Sequence, residues 1–251
     1  YEIGFFSIGT KSLEKIRHKK FLDNMTQELK KCYLPSFALD KNEEIYLAKA
    51  YASIHYDNLA QETAFDLNKN TSLTDKSDYA NFILSQAMSK SRQYSQALIF
   101  INKASLMNPS NVSYDIFKIK TLIALKKNKD ALKLIEQMQE TNKDEYSFKN
   151  TVLVLKESVL ANLSNDEKDK KYHLTMKTFL EGNYQKAIQD CKNIISFDKK
   201  NYKSLTLLAL GQFITNDLDN AKKNYLASYE INKNYAPTLS GLGDVKFVEY
   251  D

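Results

Sequence analysis

An all-α fold, built as a solenoid of antiparallel helix pairs, is what this sequence predicts, and three observations predict it. Turn-formers are scarce: six Gly and three Pro in 251 residues leave few breakers for the many tight turns of a sandwich or barrel. The composition is that of a globular chain, 43% hydrophobic and 27% charged, without the run of about 18 apolar residues that would span a bilayer. Finally, one motif recurs. An Ala just after a polar turn is followed by further small or apolar residues four and seven positions later, the spacing of one helix face.

The elements follow in chain order. Residues 1–40 read as a helical cap or a divergent leading repeat, because Leu13, Ile16, Phe21, Met25, Leu29 and Tyr33 make an approximate stripe that ends before Pro35. Residues 41–145 read as three repeats, carrying Ala60–Ala64–Leu67, Ala97–Ile101–Ala104 and Ala131–Ile135–Met138. Residues 165–251 read as two more, with Ala187–Cys191–Ile194 and Ala221–Tyr225–Ser228, plus an incomplete third from Ala236 to Asp251. Successive alanines stand 37, 34, 56 and 34 residues apart. The polar turns before them, such as Ser91-Arg92-Gln93-Tyr94 and Thr215-Asn216-Asp217-Leu218, are expected to end one helix and cap the next. Gly182 and Gly243 are expected at a helix turn and a close-packing slot, and Pro109 and Pro237 at junctions between units.

The 56-residue step holds a surplus element. Residues 146–164 form an extra or capping helix, apolar on more than one face between Thr151 and Leu163, which calls for burial on several sides. Ser164 to Glu167 reads as a capping box that opens the next helix. Two helices then fall where regular alternation allows one. The helix near 146–163 is therefore out of register and expected to cap the first array or plug its groove; a degenerate repeat with a displaced second helix is the alternative. At the other end, Leu239, Leu242, Phe247 and Val248 look exposed, so either the chain continues or a partner covers them.

These residues make the chain resemble the tetratricopeptide repeat family, whose 34-residue unit is a pair of antiparallel helices. Leu47-Ala48-x-x-Tyr51, Leu208-Ala209-x-x-Gln212, Leu242-Gly243, the second-helix triplets and Pro109 carry the match. Ser85 and Thr175 depart from it at the usual small-residue slot, and most units lack the Pro. The resemblance implies a right-handed superhelix whose first helices line a concave face. By register, that face receives Tyr79, Phe82, Gln86 and Ser89; Ser113, Ile116, Lys120 and Ile123; Asp169, Tyr172, Met176 and Phe179; and Lys203, Thr206, Leu210 and Phe213. Of these, Tyr79, Phe82, Gln86, Ile116, Lys120, Tyr172, Met176, Phe179, Leu210 and Phe213 are the candidate partner-binding residues, with Phe82, Tyr172, Phe179 and Phe213 as anchors. Close superhelical packing or the surplus helix filling the groove is the competing reading. Family members that grip the acidic tails of chaperones place Lys, Asn and Arg on this face. That set is missing here, so no chaperone tail is expected.

Other chemistry is thin. Net charge is +5, yet only Arg17 and Arg92 supply guanidinium groups, and a chain rich in Lys, Asn, Ile and Tyr reads as the product of AT-rich codons. Nucleic acid is not an expected partner. Cys32 and Cys191 make no metal or redox motif, and His18, His55 and His173 have no second ligand at metal spacing. No phosphate loop, nucleophile elbow or carboxylate pair is present. No enzyme, metal or cofactor is expected. The reading is a non-enzymatic protein-interaction scaffold or assembly factor that takes a partner peptide or helix in an apolar concave groove. A lipid-binding or RNA-binding solenoid is the alternative. The chain opens on Tyr1, so any signal, lipid anchor or membrane-spanning segment is expected outside it. Location stays open between cytoplasm and periplasm, with membrane tethering through such a segment.

Overall fold

The computed structural model describes Ala50, Ile54, residues 77–141 and residues 146–250. Every regular element among them is an α-helix, and none of these helices is long and apolar enough to cross a membrane. The chain divides into two compact units between Lys126 and Lys127. The first contains α1 (Asp78–Lys90), α2 (Tyr94–Met107) and α3 (Val112–Ala124). The second contains α4 (Asn128–Glu140), α5 (Tyr146–Leu163), α6 (Glu167–Leu180), α7 (Tyr184–Phe197), α8 (Tyr202–Ile214), α9 (Leu218–Ile231) and α10 (Ala236–Tyr250). The leading segment 1–40, the triplet at Ala60 and the Leu47–Tyr51 pattern lie outside the described residues.

The recurring motif is the interior of the second helices α2, α4, α7 and α9. Ala97, Ala131, Ala187 and Ala221 are buried, as are the partners four and seven positions on in each helix. Ala at the crossing lets two helix axes come close, where a longer side chain would hold them apart. Packing follows chain order. In the first unit α2 lies against α1 and α3; in the second, each helix from α4 to α10 packs on its neighbour, and α8 also touches α6 and α10.

Two kinds of junction alternate, and they differ from the sequence expectation. The turns preceding the alanines do not cap the next helix: α2, α4, α7 and α9 begin without a side-chain cap hydrogen bond. Instead they end the preceding helix in a left-handed residue, always five positions before the alanine. These residues are Arg92 (φ 59°), Lys126 (φ 59°), Gly182 (φ 83°) and Asn216 (φ 64°). The following amide then reaches back into the last turn, as Gln93 N–H to Met88 O, Asn183 N–H to Thr178 O and Asp217 N–H to Gln212 O, a Schellman closure. Side-chain caps belong to the first helices. Ser77, Asn111, Asp166 and Asn201 accept from the opening amides of α1, α3, α6 and α8. The cap of α6 is Asp166, not Ser164, whose hydroxyl bonds to the backbone of Asp166 instead. A carboxylate at a helix N-terminus gains from the exposed amides and the helix dipole.

The departures at Ser85 and Thr175 are accommodated inside the core. Both are buried, and their hydroxyls donate to carbonyls of their own helices, Ser85 to Phe82 at 2.6 Å and Thr175 to Lys171 at 2.9 Å. A satisfied hydroxyl can occupy a small-residue slot without the cost of an unpaired polar group. The close-packing glycine is Gly241 rather than Gly243. A Cβ at Gly241 would collide with the ring of Tyr225, while one at Gly243 would meet nothing within 4 Å.

Helix α5 packs along α6 and against α4. Val152, Leu155, Val159 and Ala161 are buried, so its apolar residues serve more than one neighbour. Four side-chain hydrogen bonds fasten it. Lys156 Nζ donates to Gln139 Oε1 (2.8 Å) and Asn162 Nδ2 to Asn128 Oδ1 (3.3 Å), both on α4. Toward α6, Asn150 Nδ2 donates to the Leu180 carbonyl (3.0 Å), and Glu157 meets His173 Nδ1 at 2.7 Å.

Candidate functional site

In the first unit, α1 and α3 carry Tyr79, Phe82, Gln86, Ile116 and Lys120. Phe82 is half-buried, its ring 4.9 Å from that of Tyr114 and 5.6 Å from that of Phe117. It thus joins α1 to α3 and rests on the cluster of Ile101, Ala104 and Tyr114. Tyr114 anchors the same junction. Its hydroxyl donates to the Asp78 carboxylate at 3.1 Å, which also accepts from Asn108 Nδ2 at 3.0 Å. Burial first, and the Asp78 charge second, push the Tyr114 phenol well above its ordinary range. Ile116 is 7% exposed and belongs to the interior. Tyr79 and Gln86 are half-buried, and Lys120 is exposed.

In the second unit, α6 and α8 carry the remaining residues. Tyr172 and Phe179 are each 8% exposed and sit in one cluster with Ala187, Ile188, Cys191, Leu207 and Leu208. Their surface is spent on packing α6 against α7 and α8. Phe179 stacks edge-on against Tyr184, ring centroids 5.1 Å apart. Met176 and Leu210 are half-buried on the outside of that cluster. Leu210 and Phe213 rest in turn on the next cluster, formed by Ala209, Ala221, Tyr225 and Val245. Met176, Leu210 and Phe213 therefore form a chain of partly exposed apolar side chains over two successive first helices.

A cation borders this strip. Lys203 Nζ lies 5.8 Å from the centroid of the Tyr172 ring, within cation–π range. Burial, then Tyr235, drives the Tyr172 phenol above the ordinary tyrosine range, so it stays neutral under the lysine. Lys203 stands in the concave-face register, but the aromatic partner below it depends on how α6 and α8 pack, which no local pattern encodes. The same holds for the Glu157–His173 contact.

Among the described residues no group of three or more His, Cys, Asp or Glu gathers as a metal ion would require. Cys191 is buried in the core, and that burial pushes its thiol up to about 12, away from nucleophilic use.

No protein-family model matches the chain, and no curated protein is significantly similar to it. The solved structures to which it is similar are tetratricopeptide proteins. One is a tetratricopeptide repeat protein from Parabacteroides merdae, 12% identical, with 93% of this chain and 95% of that one covered and a TM-score of 0.42. Another is the tetratricopeptide domain of P58(IPK), 13% identical over 91% of this chain and 75% of that one, TM-score 0.33. A third is YrrB, a tetratricopeptide protein with an unusual peptide-binding site, 12% identical over 64% and 89%, TM-score 0.32.

Proposed function

We propose that this chain is a non-enzymatic protein-interaction scaffold that takes a partner peptide or helix on the exposed faces of its first helices. The observation that carries the reading is the strip Met176–Leu210–Phe213. It continues across α6 and α8, is half-buried without being consumed by the core, and is bordered by Lys203 over Tyr172. Rigid, partly exposed apolar side chains on fixed helices bind with little ordering cost, which favours docking of an apolar helix face or an extended peptide. Tyr79, Phe82, Gln86 and Lys120 supply the corresponding positions of the first unit. Ile116, Tyr172 and Phe179 support the surface from below.

The test is affinity capture from the native cell with mass spectrometry, repeated with Met176→Lys and Leu210→Lys. The expected result is one set of partner proteins retained by the parent chain and lost from both variants, with helicity and melting nearly unchanged. Retention that is indifferent to both substitutions, or recovery only of nucleic acid or lipid, overturns the reading.

A further inference from the structure

Building on the strip Met176–Leu210–Phe213 as the docking surface, we propose that Lys203 selects what docks there: a segment whose apolar residues are accompanied at one end by an Asp or Glu side chain. Lys203 stands about two helical turns before Leu210 on the same face of α8, roughly 10 Å along the axis. It marks one end of the strip with a positive charge. Three other lysines of this unit pair with carboxylates, Lys168 with Asp198, Lys177 with Glu181 and Lys222 with Glu249. Lys203 Nζ instead lies 5.8 Å from the centroid of the Tyr172 ring. A ring face holds an ammonium in place without cancelling its charge. Among the described residues Lys203 has no ion-pair partner, and Asp169, at the matching position of α6, is exposed.

The other polar groups along this face are already engaged. Thr206, between Lys203 and Leu210, is buried, and its hydroxyl meets Ser228, Thr238 and the Tyr202 carbonyl. Tyr172 is buried as well. Polar recognition therefore falls to a single ammonium, and that number chooses among anions. A phosphate or a chain-terminal carboxylate is best held by several converging donors or a guanidinium fork. One lysine beside an apolar surface matches one side-chain carboxylate. A wholly apolar segment would strip water from Lys203 and return nothing, which is unfavourable. A basic one would meet like charge. The ion pair then adds discrimination and encounter rate more than affinity.

A phage-displayed library of random peptides, selected on the full chain, tests this. The expected result is a set of peptides that are lost in Leu210→Lys and are enriched in Asp or Glu beside their apolar residues. Selection on Lys203→Glu should turn that preference to Lys or Arg, and selection on Lys203→Gln should abolish it. Lys192→Glu, the same charge change at an exposed position of α7, should leave it unchanged. A synthetic peptide from the parent selection should bind Lys203→Gln up to about five-fold more weakly, the range of an exposed ion pair. High salt should erase that difference. Lys203→Glu places an acid in the first turn of α8, which the helix dipole favours, so the fold is kept; circular dichroism checks it. Leu210-dependent peptides with no acidic preference, or with one that Lys203→Glu leaves in place or Lys192→Glu removes, overturn the role of Lys203 and leave the strip standing. A selection that yields no Leu210-dependent peptide overturns both.

Discussion

Gly241 of α10 lies directly under the ring of Tyr225 of α9, so close that no side-chain carbon fits between them. Tyr225 is the largest fully buried side chain of the core described here, and it cannot retreat without opening that core. Replacing Gly241 by Ala gains about 0.5–1 kcal/mol of helix propensity and loses more to overpacking, typically 1–3 kcal/mol and here toward the upper end. The net expectation is a loss of about 2 kcal/mol in urea denaturation. Gly243→Ala, two residues along and in open space, gains the propensity alone. Equal effects from the two substitutions would contradict the packing described.

Arg92 and Lys126 hold backbone angles that suit glycine, with φ of 59° each. The left-handed region costs an ordinary L-residue roughly 1–2 kcal/mol, part of which glycine returns as lost chain entropy. Arg92→Gly and Lys126→Gly are each expected to stabilise by about 0.5–1 kcal/mol, read as a raised Tm. Asn216→Gly gains less, because Asn already tolerates the region. Gly182→Ala loses about 1 kcal/mol, although nothing crowds it.

Three buried hydroxyls join α8, α9 and α10. Thr206 Oγ1 lies 2.6 Å from Thr238 Oγ1 and 2.8 Å from Ser228 Oγ, and the last two are 3.0 Å apart. Thr206 and Ser228 also donate to the Tyr202 carbonyl at 3.0 and 2.9 Å. Thr206→Val removes its bonds to Thr238 and Ser228, while these two keep each other and Ser228 keeps the Tyr202 carbonyl, and should cost about 1 kcal/mol. Removing all three hydroxyls, as Thr206→Val, Ser228→Ala and Thr238→Val together, should cost clearly less than the three single losses added, because each mutual contact is lost in two of the single variants. Additive losses in the mutant cycle would show that the hydroxyls act independently.

That network also shows what was legible in the sequence. Ser228 stands in the third position of its triplet, where Ala104, Met138 and Ile194 stand in the others, and by hydropathy alone it looks like a weak match. Only the packing of α8 and α10 reveals its partners. The second helices are readable because each buries one stripe, so Ala97, Ala131, Ala187 and Ala221 recur with a local period. The first helices bury more than one. In α8 every residue from Ser204 to Ala209 is buried, which erases the periodicity that would separate a core face from a binding face. Ile116, Tyr172 and Phe179 therefore share a register with Leu210 and Phe213 yet lie in the interior. Asp166 against Ser164, and Gly241 against Gly243, are ambiguities of another kind. Each pair offers a similar group two residues apart; Gly241 is picked out by Tyr225 of the neighbouring helix, and Asp166 by its bond to the Lys168 amide.

Alkaline pH provides the remaining test, through Cys191 and Tyr225. Burial, with Asp190 a smaller contributor, pushes the Cys191 thiol up to about 12. Burial, with Asp244 second, pushes the Tyr225 phenol up to about 12. In the unfolded chain these groups ionise near their ordinary values of about 8.5 and 10. Below about pH 8.5 both are neutral in either state and add no slope. Above it the unfolded chain releases protons that the folded chain retains, so stability falls as pH rises, by about 1.4 kcal/mol per unit for each ionising group. Urea melts should therefore show a level stretch up to about pH 8 and a decline that begins with the thiol, near 8.5. In Cys191→Ala that decline should start about a unit and a half later, when the buried phenols of Tyr114, Tyr172 and Tyr225 take over. Peptide-resolved alkylation supplies the independent check: at mildly alkaline pH Cys191 should resist iodoacetamide in the folded protein and react once urea unfolds it. An unchanged alkaline limb in Cys191→Ala, or rapid labelling of the folded chain at this position, would place the thiol outside the core cluster.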